Sequence, residues 1–99
     1  MLLIVGTIRL PADRLATARP AMASMIEASR AEPGCLEYSY AEDVLEPGLI
    51  HVKERWTDRA VLTEHFKSAH LANWRASWAS LGFAERNLYL YDAGEPQPI

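Results

Sequence analysis

The spacing of apolar residues changes period between Ile50 and His70, and the change predicts a strand that hands over to a helix. Alternation puts Ile50, Val52, Glu54 and Trp56 on one face of the strand. Asp58 then supplies an N-cap, and Val61, Leu62, His65 and Phe66 follow at helical spacing, facing inward. This geometry aims Trp56 at the helix that carries His65. Leu71, Trp74, Trp78 and Leu81 repeat at three- and four-residue steps, so a second helical segment follows a bend at Ser68-Ala69-His70 and stops at Gly82. A polar or redox-capable group in an apolar wall between sheet and helix is what a small-molecule pocket needs, and function is expected there.

The flanking segments complete the pattern. Leu2 to Leu10 reads as a strand closed by Pro11, with Gly6 marking a bulge. A helix opens at Pro11-Ala12-Asp13-Arg14 and carries Leu15, Ala18, Met22, Met25, Ile26 and Ser29 on one stripe, with a kink or break expected at Pro20. Cys35 to Asp43 alternates as a strand, with Leu36, Tyr38 and Tyr40 opposed to Glu37, Ser39 and Ala41. Glu46-Pro47-Gly48 has the residues of a type II turn, so the strand from Leu49 to Trp56 pairs back as a hairpin. Phe83 to Asp92 is the last strand, with Leu88 and Leu90 opposed to Tyr89 and Tyr91. The order β-α-β-β-α-β predicts a ferredoxin-like α+β domain over residues 1–92, with both helices on one face of an antiparallel sheet and a tail at 93–99. The other face, bearing Glu37, Ser39, His51, Lys53, Arg55, Tyr89 and Tyr91, is too aromatic for plain solvent surface and too polar for a dry core. A two-fold homodimer would cover it.

Composition narrows the function classes. With 99 residues, 49 % apolar and 23 % charged, the chain is one folded domain, and a net charge of -3 leaves no basic surface for nucleic acid. No stretch suits a membrane span, and Met1-Leu2-Leu3-Ile4-Val5 is too short for a signal-peptide core, which makes the cytoplasm the default compartment. Cys35, the single cysteine, excludes an intrachain disulfide and reads as a small apolar residue at a strand start.

Candidate chemistry gathers at the strand-to-helix junction. His65 is the candidate base for a phenolic proton, since an imidazole pKa of about 6.5 suits that task near neutrality; the plain alternative is a histidine satisfying a carbonyl between sheet and helix. His70 lies five residues on, about 140° around an ideal helix, and is expected to cap unless the bend turns it inward. That spacing, with no cysteine or acid to complete a set, predicts no metal site. Glu54, pointing into an apolar interface, must be paired, hydrogen-bonded or protonated, and Arg9 and Arg86 are candidate partners. Trp56, Trp74 and Trp78 are core or pocket wall, and Tyr38 and Tyr40 either offer a hydroxyl to a ligand or serve as aromatic strand pairs.

Glu32-Pro33-Gly34-Cys35-Leu36-Glu37-Tyr38, then Glu54-Arg55-Trp56, then Glu64-His65-Phe66 with Ser68-Ala69-His70 resemble, in order and separation, the antibiotic biosynthesis monooxygenase family. The resemblance implies a dimeric α+β barrel with a pocket in each subunit between sheet and helices. Members of that family include cofactor-independent oxygenases that turn phenols or quinols into quinones, haem-degrading enzymes and proteins with no assigned reaction. Trp56 matches the strand tryptophan of the quinone-forming members, whereas their asparagine four residues earlier is Val52 here and a tyrosine early in the second helix is Leu62. Ile8, His65 and Arg75 stand at the haem-degrading positions in place of asparagine, tryptophan and histidine, which disfavours haem. The pair His65 and His70 matches the quinol monooxygenase subgroup.

The expectation is therefore a cofactor-free monooxygenase acting on a small aromatic molecule with O2. Its catalytic residues would be His65, Trp56 and Glu54, and its substrate contacts Tyr38, Tyr40, Val52, Leu62, Phe66, His70 and Trp74. The alternatives are a non-catalytic barrel binding a small hydrophobic molecule as carrier, sensor or stress-response protein, and an isomerase of the muconolactone type.

Overall fold

A computed structural model describes all residues from Met1 to Ile99. The elements are β1 (Leu2–Arg9), α1 (Leu15–Arg30), β2 (Cys35–Glu42), β3 (Leu49–Trp56), α2 (Arg59–Phe66), α3 (Ala69–Leu81) and β4 (Ala84–Asp92). A 3-10 turn, Ala12–Arg14, leads into α1. The strands form one antiparallel sheet in the order β2-β3-β1-β4, so the β-α-β-β-α-β expectation holds, with the second helical unit divided into α2 and α3. The division is built by capping. Asp58 accepts the Val61 N–H at the start of α2, Ser68 accepts the Leu71 N–H at the start of α3, and Gly82 ends α3 in the left-handed conformation.

The core lies between the sheet and the helices. Ile50, Val52, Glu54 and Trp56 are all buried, as their alternation predicts, and they meet Ala18, Met22 and Met25 from α1 and Leu62, Leu71 and Trp74 from α2 and α3. The hairpin turn closes with the Leu49 N–H on the Glu46 carbonyl at 3.2 Å and Gly48 at φ +85°, which is the type II geometry.

Four local expectations need correction. Of the kink or break expected at Pro20, the break is absent: α1 is one helix through Pro20, which sits on its exposed side, where the carbonyl left without a donor can bond water. Gly6 is not a bulge, since β1 keeps continuous register with β3 there; the irregularity is on β4, where Thr7 pairs with Asn87 and Arg9 with Ala84 and Glu85 takes φ +50°. Gly6 instead lets β4 approach, as a Cβ would lie 1.8 Å from the Asn87 carbonyl oxygen. Leu36 leaves the face of Tyr38 and Tyr40 because it is the extra residue of a bulge, Cys35 pairing with Trp56 and Glu37 with Arg55. Phe66, at the last position of α2, is half-exposed and does not join the core.

The turn at Glu32-Pro33-Gly34 positions the site. The Gly34 carbonyl accepts the Thr57 N–H at 2.9 Å, and its Cα packs so closely on α2 that a Cβ would meet Val61 Cγ1 at 2.7 Å. With φ at +82°, only glycine fits without strain, and the turn delivers Glu32 to the underside of α2.

Candidate functional site

The end of β3 and the end of α2 meet ring against ring. The Trp56 indole is wholly buried, with its ring centre 4.5 Å from that of His65 and 6.3 Å from that of Tyr38. Its Nε1–H donates to Glu54 Oε1 at 3.0 Å, which is the hydrogen bond that the sequence required of a carboxylate on this face. No ion pair reaches Glu54. Arg9 is taken up by Glu46 and Glu85, and Arg86 acts on Glu54 only through its field.

Glu32 braces His65 from the other side, its two carboxylate oxygens standing 3.0 and 3.1 Å from His65 Nδ1. Burial holds the imidazole below its ordinary pKa although Glu32 pulls the other way, so the ring is neutral near pH 7. A neutral ring facing a carboxylate carries its proton on Nδ1, which leaves Nε2 as an acceptor with no partner in the chain. The bend at Ser68 does turn His70 inward. Its Nε2 approaches the same Glu32 oxygen at 2.5 Å, out of line for a hydrogen bond. The donor atoms of Glu32, His65 and His70 lie within 4.8 Å of one another, so an acid does join the two histidines and theirs are the atoms that could hold a cation.

A cavity of about 350 Å³ opens between the sheet and α2 and α3, a size suited to a small aromatic molecule. Glu54, His65, Arg59, Arg75 and Arg86 are its polar lining, and Tyr38, Tyr40, Leu62 and Trp74 form much of its apolar one. Phe66 lines it as well, from its half-exposed position. Burial pushes Glu54 up to about 7, against the pull of the Trp56 hydrogen bond and the Arg86 charge. Burial also raises the Tyr38 hydroxyl far above the usual range and Tyr40 to about 12, so both stay protonated. Trp78 adds an Nε1–H that no group in the chain accepts.

Three of the expected site residues lie off this cavity. Trp56 is sealed behind Glu54 and His65, Val52 is buried in the core, and His70 lines a separate hollow with Glu32 and Ser68. Sequence reading missed Glu32, whose role depends on a contact 33 residues away, and the convergence of Arg59 and Arg75 with Arg86, which it names only as a candidate partner of Glu54; all three arginines line the cavity while remaining exposed.

Glu54 gives the protein a pH-dependent stability of definite sign. With a folded pKa of about 7 against an ordinary 4.5, the folded chain keeps a proton that the unfolded chain has lost. Its contribution is therefore fully present below about pH 4.5 and falls by up to about 3 kcal/mol as pH rises through 7. Urea denaturation of wild type and Glu54→Gln at pH 5 and pH 8 should show the wild type losing more stability over that interval, by an amount of that order. Equal losses would place Glu54 in contact with water.

The antibiotic biosynthesis monooxygenase family model matches residues 1–77. An uncharacterized protein of Synechocystis sp. is 28 % identical over 98 residues, which span 99 % of this chain and 67 % of that protein. A candidate antibiotic biosynthesis monooxygenase of Deinococcus radiodurans superimposes with a TM-score of 0.91 at 26 % identity, covering 100 % of this chain and 98 % of its own. A Mycobacterium tuberculosis protein does so with a TM-score of 0.84 at 25 % identity, covering 98 % of each chain. Matched over residues 1–77 and similar in fold from end to end, this chain belongs to the antibiotic biosynthesis monooxygenase family.

Proposed function

We propose that the protein is a cofactor-independent monooxygenase that oxidises a small phenol or quinol to a quinone. The observation that carries this reading is a buried carboxylate, Glu54, on the wall of a largely apolar cavity beside the His65 imidazole, where burial pushes the carboxylate pKa up to about 7. A carboxylate accepts more than one hydrogen bond, so the Trp56 bond leaves Glu54 lone pairs for a substrate hydroxyl. Glu54 takes the phenolic proton, and His65 Nε2 accepts a hydrogen bond from a second hydroxyl or a bound water, which fixes the ring. The resulting phenolate is the reductant. It passes one electron to O2, the phenoxyl radical and superoxide combine at a ring carbon, and loss of water from the peroxide yields the quinone. Glu54 returns its proton to the peroxide, and the balance closes without an outside electron donor: a phenol and O2 give a quinone and water, a quinol and O2 give a hydroxylated quinone and water, and one atom of O2 goes to each product. Trp56 acts from behind, holding Glu54 and packing on His65, and is a positioning residue in this reading.

Oxygen uptake over a panel of phenols and quinols tests the proposal. The wild type should consume one O2 per quinone formed without releasing peroxide, and Glu54→Gln should lose about 10²–10⁴-fold in rate. Uptake no greater than the blank for every compound would leave the non-catalytic binding barrel as the reading.

We also propose that two copies pair through the outer face of the sheet. Tyr89 and Tyr91 on β4 are 60 % and 52 % exposed, with β1 between them and the ion-paired ladder of Lys53, Glu37 and Arg55, a mixture suited to a polar-rimmed interface. Light scattering on the purified protein should return twice 11.1 kDa, and a mass of 11.1 kDa would remove the dimer.

A further inference from the structure

We infer that the cavity takes a substrate carrying an acidic group, a phenol or quinol with a carboxylate or comparable anionic substituent, which Arg59, Arg75 and Arg86 receive. The inference rests on the proposed use of the cavity for an aromatic substrate and extends it to the substrate's charge. It starts from how this chain treats its ten basic side chains. Six are engaged: Arg9, Lys53, Arg55 and Lys67 in ion pairs, and Arg14 and Arg30 on the Ser80 and Tyr38 carbonyls. Arg19, Arg59, Arg75 and Arg86 have neither an ion pair nor a side-chain hydrogen bond, and the last three all line the one cavity that holds Glu54 and His65. They come from three elements, α2, α3 and β4, so their convergence is a product of the fold and not of a basic run in the sequence.

The charge count favours an anionic ligand. Three arginines, themselves exposed, line a cavity whose only acid is Glu54, in a chain of net charge -3. Transfer of a phenolic proton to Glu54 converts one negative charge into another and leaves the excess of two positive charges unchanged. An acidic substituent reduces it. The fields of these groups reach the reacting wall, since Arg86 acts on Glu54 and Tyr40 and Arg75 acts on His65. Guanidinium groups bind carboxylates through paired N–H donors, which would fix the ring's orientation as well as its charge. Their fields would also steer an anion through solvent that the molecule's net charge otherwise makes repulsive.

Homogentisate and its primary amide form a test pair of nearly equal shape that differs in one charge. Binding is measured without oxygen, from the quenching of tryptophan fluorescence, so that it does not depend on turnover. Homogentisate should bind at least about tenfold more tightly, with the advantage shrinking as salt is raised. Arg75→Gln and Arg86→Gln should each weaken homogentisate binding more than amide binding and so erode that advantage. Equal affinity for the two compounds, or an advantage that both variants retain, would overturn the inference. Its failure is separable from that of the proposed reaction: tight homogentisate binding without oxygen uptake would sink only the oxygenase, and uptake of neutral quinols without any preference for charge would sink only the acidic substrate.

Discussion

The contact between the Trp56 indole and the His65 imidazole is where the sheet meets α2, and the rest of the site is arranged around it. Removing a wholly buried ring of this kind costs about 3–5 kcal/mol, a large part of the stability of any small domain. Trp56 is therefore structural before it is anything else. Its single polar atom nonetheless has a chemical consequence. Because the indole N–H is spent on Glu54, the carboxylate is anchored without being neutralised, and burial is left to set its pKa. A salt bridge at the same place would have held the acid ionised and weakly basic.

The same economy of partners divides the two faces of the molecule. On the outer face Glu37 bonds both Lys53 and Arg55, and His51 meets Asp43, so the charges there are compensated. On the inner face the cations around the cavity are left free, while the acid beside them is raised and the imidazole is neutral. Salt-linked groups stabilise modestly and do little chemistry; the exposed arginines stay unpaired at little cost, whereas the buried Glu54 is costly to ionise and responds strongly to a ligand. Glu32 is the intermediate case, since its carboxylate is used inside the protein to fix which nitrogen of His65 carries the proton.

Much of this was legible in the sequence, and the failures have identifiable physical causes. The parity of β3, the two helix caps, the hairpin turn and the α+β topology all follow from local periodicity and turn chemistry, which act over a few residues. Leu36 departs from the face that alternation predicts because a one-residue bulge is invisible to a period-two pattern. Trp56 and His65 were expected to share the wall of a hollow, yet only His65 reaches it, since alternation gives the direction of a side chain and not how deeply its neighbours cover it. Glu32 and the convergence of the three arginines are illegible for a different reason, with Arg86 alone legible as a neighbour of Glu54: each acquires its role from a contact between distant segments.

The central claim is that Glu54 is a desolvated carboxylate, anchored by an indole and available to a ligand at neutral pH. Carbon-detected NMR titration of the Glu54 side-chain carboxyl in the intact protein tests it directly. The account predicts a midpoint close to 7. A midpoint at the ordinary value of 4.5 would contradict it, because a carboxylate so easily ionised would be solvated and no better a base than any surface acid.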